Sequence, residues 1–211
     1  MPRKKLISER EAVSEIFMFF SVLFDGPPPA SVMPRLLNDI FRDLRNTVGL
    51  TEPLEPINPV ALAEDYEPLF LIPDAINPLS LYSTHYHTDG ESAGEDFTTE
   101  LTLLAAALQM PWKKQEFVPG RAYPVTPDHL SVEFGLLSAL ARANPAADIV
   151  GKPALAWMYR LSQEITHTLE QLQHILQGLA LPRRPPAYEE VITLALAYMK
   201  AYARLEFSAP Q

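Results

Sequence analysis

The stretch "TPDHLSVEFGLLSAL", residues 126–140, passes from a proline-containing turn into an apolar-periodic run, and its reading decides the fold. Thr126 carries the hydroxyl that a helix N-cap needs, and Pro127 suits the first helical position, where a missing N–H costs nothing. Asp128 then falls in the first turn, where its charge complements the helix macrodipole by about 0.3–1 kcal/mol. On a helical wheel Leu130, Phe134 and Leu137 form one stripe, bordered by His129, Glu133, Leu136 and Leu140. The expectation is a helix capped by Thr126 and running to Asn144-Pro145, with His129 and Glu133 at the rim of the core. An acid, an imidazole and a carboxylate this close together admit three readings: a capped helix start, a metal or acid–base site, or a recognition surface.

Outward from this stretch the pattern stays helical. Ser8 and Glu11 form a capping box before a helix reaching about Phe24, and "DGPPP" stops it because successive prolines cannot continue the hydrogen-bond ladder. Ser31 caps a second helix, with Ile40, Phe41 and Leu44 on one stripe and Gly49 as its C-cap. "VALAEDYEPLFL" (60–71) reads as a short helix, residues 72–92 as irregular, and "EDFTTELTLLAAALQM" (95–110) as a helix with Phe97, Leu101, Leu104 and Leu108 at helical spacing. A loop joins it to the opening stretch. Two long helices, about 152–178 and 187–207, follow, separated by "LPRRPP". No segment alternates convincingly as a strand. The expected class is all-α: one domain over residues 1–211, with six to eight helices in an irregular bundle.

Composition narrows function. The chain of 211 residues is 47% hydrophobic, enough for one sizeable core, and its formal charge of −9 argues against nucleic-acid binding, which needs a basic surface. There is no cysteine, hence no disulfide, thiolate nucleophile or Cys-ligated metal. The basic start followed by "IFMFFSVLF" imitates a signal peptide. Glu9, Glu11 and Glu15 interrupt it, however, and the run Ile16–Phe24 is far short of the roughly 20 residues a spanning helix takes. It reads as a buried first helix of a cytoplasmic protein. Between Arg45 and Lys113 there is neither lysine nor arginine, while acids such as Glu64, Asp65, Asp96 and Glu100 accumulate there. Such a stretch is either a solvated surface or a negative groove for a cationic partner.

Catalytic readings find less support. His85, His87, Asp89, Asp128, His129 and Glu133 hold enough N and O atoms for a metal, and a metal-dependent hydrolase using His85, His87, Asp128 and His129 is the competing hypothesis. Yet the doublet runs Asp-His, where all-α metal phosphohydrolases carry His-Asp, and no HExxH is present. GxSxG, GxGxxG and P-loop patterns are also missing. His167 and His174, seven apart on a long helix, read as surface or packing residues.

Taken together, three segments resemble the TorD/DmsD/NarJ family of redox-enzyme maturation chaperones. They are Tyr66, Leu69 and Phe70; Pro78, Tyr82, Ser83 and Tyr86; and Pro127, Asp128, His129, Leu130 and Glu133. The resemblance covers about residues 60–140. The loop departs from the family's Tyr-Glu-Ser order, reading Tyr82-Ser83-Thr84, and His174 lacks the tryptophan of a His-x-x-x-Trp signature. The resemblance implies a chaperone without cofactor or catalysis. It would bind the twin-arginine signal peptide, or a related N-terminal segment, of a molybdopterin oxidoreductase subunit and hold it in the cytoplasm for cofactor insertion. A monomer and a homodimer both fit, as does a plain helical adaptor for some other basic or apolar segment.

A receptor for such a leader needs carboxylates beside an apolar groove. Asp128, His129, Glu133, Tyr82, Ser83 and Tyr86 are the expected rim, and Phe70, Trp112, Leu136 and Leu140 the expected apolar lining. Guanidinium pairs with carboxylates and stacks on aromatic faces, giving an expected affinity near micromolar, about −8 kcal/mol.

Overall fold

The computed structural model describes residues 9–26, 34–50, 59–66, 69–70, 79–86, 93–110, 114–118, 121–124, 126–178 and 187–207. Among these the helices are α1 (Glu9–Asp25), α2 (Pro34–Val48), α3 (Pro59–Tyr66), α4 (Ala93–Ala107), α5 (Leu130–Arg142), α6 (Ala154–Gly178) and α7 (Ala187–Phe207). The all-α class holds, and Gly49, at φ 76°, takes the left-handed conformation expected where α2 ends. Ser8, Ser31, His87, Asp89 and Trp112 lie outside the described residues.

The centre of the molecule is the antiparallel pair α1 and α5, the most extensive helix contact among the described residues. Small residues let the two backbones approach. Ser14 and Ser138 exchange hydroxyl-to-carbonyl hydrogen bonds at 2.8 Å, and the Ser21 hydroxyl donates to the Ser131 carbonyl at 2.7 Å. Gly135 lies at the same crossing. A methyl group there would stand 3.5 Å from Ser21 Oγ and 2.9 Å from the terminal methyl of Met110. Beside this small seam the apolar faces are aromatic: Phe134 packs on Phe17, Phe20 and Phe24, stacking with Phe24 at 5.7 Å. The signal-like run is therefore the buried helix its interrupted sequence implies.

α6 and α7 pair next to this centre, and α2 and α3 close on α7. Tyr66 and Tyr188 donate to the carbonyls of Phe24 and Leu23, satisfying acceptors that the end of α1 leaves open. Asp65 accepts from the Ala187 N–H at 2.6 Å and so caps α7.

Two short antiparallel ladders correct the expectation of no strands. β1 (Lys114–Val118) pairs with β2 (Arg121–Pro124), with a bulge after Glu116, inside the segment read as loop. β3 (Asp148–Ile149) pairs with β4 (Lys152–Pro153) around Val150 and Gly151, at φ 53° and 74°, the two left-handed positions a tight hairpin turn requires. Neither ladder is long enough to show alternation in sequence.

Candidate functional site

The site forms where the loop 79–86 meets the start of α5. Tyr82 and His129 make an antiparallel bridge: the Ser83 N–H donates to the Asp128 carbonyl and the Leu130 N–H to the Leu81 carbonyl, both at 2.8 Å. The second bond satisfies a donor that the first turn of α5 would leave unpaired. It also holds His129 extended, at φ −78° and ψ 134°, so the helix cannot begin earlier. This corrects the expected boundary. His129, not Thr126, is the N-cap, its Nδ1 accepting from the Ser131 N–H at 3.2 Å. Thr126 instead donates its hydroxyl to Asp128, as does Thr84 from the loop.

Side chains reinforce the bridge. The Ser83 hydroxyl donates to Glu133 Oε1 at 2.7 Å, one turn into α5. The Tyr82 ring meets the His129 ring edge-on at 5.0 Å. Tyr86 closes the loop on itself, its hydroxyl donating to the Ser80 carbonyl and accepting from the Ser80 N–H. The 3-10 turn Ser83–Tyr86 leans on α6, where His167 Nε2 lies 3.5 Å from the Tyr86 carbonyl.

The electrostatics follow from burial. Glu133 is fully enclosed, and Oε2 has no hydrogen-bond partner among the described residues. Burial pushes its pKa well up; the Ser83 bond opposes this, while the charges of Asp128 and Glu164 add to it. Burial thus favours its protonated, neutral form. Burial pushes His129 down to about 4 against the opposing pull of Asp25 and Asp128, so it is neutral too, as acceptance by Nδ1 requires. Burial, and then the charge of Asp128, raises Tyr82. The charged groups around these two neutral side chains are thus the carboxylates of Asp25, Asp128 and Glu164.

Several expected site residues come together here: Tyr82, Ser83, Tyr86, Asp128, His129 and Glu133. Their placement at the rim needs correcting. Ser83, Asp128, His129 and Glu133 are buried, and only Tyr82, Thr84, His85 and Tyr86 of this cluster reach solvent appreciably. Leu136 and Leu140, expected to line the groove, are core residues facing no solvent. The wheel misplaces them because α5 is enclosed all round rather than on one stripe. Phe70 belongs to another set of contacts, packing on Tyr66 and Tyr188 at 5.3 and 5.1 Å. Of the expected acidic surface, Glu100 is already engaged by Lys152 and Arg160, and Asp65 by the start of α7.

Sequence reasoning missed Asp25, Thr84 and Glu164. Thr84 was one step along the quoted loop; the other two stand on helices whose approach to it no local pattern announces. As to a metal, no group of three His, Asp or Glu is placed to hold an ion among the described residues. His85 packs edge-on against Tyr86, and His129 Nδ1 is committed to Ser131. No helix among the described residues is long and apolar enough to cross a membrane.

A family model described as the nitrate reductase delta subunit matches residues 37–184, more than half of the chain. That span contains the loop 79–86, the start of α5 and the whole of α6. No curated protein and no solved structure matches the chain.

Proposed function

We propose, for a chain that belongs to the nitrate reductase delta subunit family of molybdoenzyme maturation chaperones, a finer role for the site. It binds the twin-arginine signal peptide, or a related N-terminal segment, of a molybdopterin oxidoreductase subunit. It holds that subunit in the cytoplasm until cofactor is inserted, acting as one helical domain with no catalytic step. The observation that carries this reading is the Tyr82–His129 bridge, which fastens the Tyr-Ser loop onto the Asp-His-Leu-x-x-Glu turn and presents the loop's outer side chains together.

Binding is divided among the residues by their exposure. Ser83, Asp128, His129 and Glu133 hold the loop; Tyr82 and Tyr86, half-buried, offer ring surface to a client. Asp25, Asp128 and Glu164 give that end of the molecule a negative field with both titratable partners at its centre neutral. A guanidinium suits this setting because it stacks on a ring while pairing with a carboxylate, which an ammonium does less well. Partly desolvated pairs of this kind contribute about 1.5–3 kcal/mol each, and exposed ones about 0–1 kcal/mol.

Isothermal titration of the chain against a panel of twin-arginine leaders, each with its Lys-Lys counterpart, tests the proposal. The expected result is a near-micromolar Kd for a cognate leader, weakened by the Lys-Lys exchange and by added salt. Absence of binding to every leader in the panel would sink it.

A further inference from the structure

A second concave feature lies between α6 and the last turns of α7. It is a groove of about 550 Å³, with Tyr159, Ser162, Gln163 and His167 contributed by α6 and Arg204 and Phe207 by α7. The Glu170–Lys200 ion pair, at 2.7 Å, stands at its far end. Nothing in the proposed function uses this groove.

Several hydrogen-bond donors are left open here. Ser162 is 2% exposed, and its hydroxyl has no partner among the described residues. The Tyr159 hydroxyl accepts from Gln163 Nε2 at 2.7 Å, which leaves its own proton to give. Arg204 makes no ion pair or hydrogen bond with any described residue, whereas Lys200 beside it is neutralised by Glu170. At the same end Tyr159, 47% exposed, meets Phe207 edge-on at 5.1 Å and offers an aromatic wall. A guanidinium fork, two hydroxyl donors and an aromatic wall together match a carboxylate attached to an apolar body.

We propose that the α6–α7 groove is a docking site for an acidic peptide segment of a partner protein, one with Asp or Glu beside an aromatic or large aliphatic residue. Its charge preference is opposite to that of the leader site, so one segment does not serve both. The carboxylate pairs with Arg204 and accepts from Tyr159 and Ser162; the neighbouring apolar side chain rests on Tyr159 and Phe207.

The test is an amide chemical-shift titration of the full chain with the peptide acetyl-Gly-Ser-Glu-Phe-Glu-Leu-Ser-Gly-amide, its Gln-for-Glu counterpart, and phenylacetate. The expected result is shift changes confined to α6 and to α7 beyond Lys200, with the Glu peptide binding about tenfold more tightly than the Gln peptide. Arg204→Gln, a change at an exposed position, removes most of that difference, and Tyr159→Ala weakens both peptides, the Glu peptide by more. Equal affinity for the two peptides, no shift changes, or shift changes elsewhere would overturn the proposal. So would phenylacetate binding as tightly as the Glu peptide, which would make the groove a small-acid site. Leader binding reads out on residues 82–86 and groove binding on α7 beyond Lys200, so failure of the leader leaves this result unaffected.

Discussion

The first turn of α5 and the turns after it are equally enclosed but differently made. Asp128, His129, Ser131 and Glu133 bring four polar side chains into the interior, and Phe134, Leu136, Leu137 and Leu140 bring none. Ser138 apart, which pairs with Ser14, the later turns need only neighbours of the right shape. The polar half needs a partner for each group, and it gets them from the 79–86 loop, from α1 and from its own backbone. Even so, one oxygen of Glu133 is left without a partner among the described residues. An apolar first turn would be the more stable design. What the polar turn provides is a loop fastened in one register, which a binding surface requires and a core does not.

This contrast breaks first at Phe134. Phe134→Ala removes a ring that touches three others and is expected to cost about 3–5 kcal/mol in chemical denaturation, while leader affinity per folded molecule stays unchanged. Parallel losses of stability and affinity would mean the two halves are one unit.

Acidity separates the halves next, because only the polar one titrates. The folded chain keeps His129 neutral down to about pH 4, whereas the unfolded imidazole takes its proton near pH 6.5. The folded state therefore binds fewer protons in that window, and its stability falls as the pH falls from 6.5 to 4, by about 3 kcal/mol. Glu133 works in the other direction. Its folded pKa is raised, so the folded state holds a proton the unfolded state has lost, and stability declines as pH rises above the ordinary carboxyl value of 4.5. The two slopes oppose each other between pH 4.5 and 6.5. Denaturation of Glu133→Gln across pH 4–8 is expected to show a curve that rises to pH 6.5 and then flattens, where the natural chain turns down. An unchanged downturn would place the raised acid elsewhere.

A smaller loss is expected for Ser83→Ala, about 1–3 kcal/mol, since it leaves the Glu133 carboxyl with neither oxygen paired among the described residues. Unlike Phe134→Ala, it is expected to weaken leader binding as well, because the loop loses an anchor. Smallest in stability is Tyr82→Ala, about 0.5–1.5 kcal/mol for the edge-on contact with His129. Its leader affinity is expected to fall further than its stability; titration beside a melting curve compares the two.

Much of this architecture was legible in residue order. The long pair α6 and α7 follows from apolar spacing interrupted by "LPRRPP", and α1 from charges that break up a signal-like run. What stayed hidden was set from a distance. Thr126 and Pro127 have every local qualification to open a helix, but the bridge from Leu81 and Tyr82 keeps His129 extended and moves the start to Leu130. Ser14 and Ser21, seven apart, look like ordinary polar residues until Ser138, Ser131 and Gly135 face them. The β1–β2 ladder is too short to alternate visibly, although Pro119-Gly120 between its strands is a turn signal in the sequence itself. Which residues meet at the bridged loop was partly legible and their exposure was not, because wheel geometry assumes a helix with a wet side and α5 has little of one.

The central claim is that the outer face of the bridged loop receives the client. Amide shift mapping of the full chain with a twin-arginine leader that binds it tests this most directly. The account predicts perturbations centred on Tyr82–Tyr86 and spreading to Asp25 and to α6 around Glu164 and His167. A leader that binds while those amides stay unmoved would contradict it.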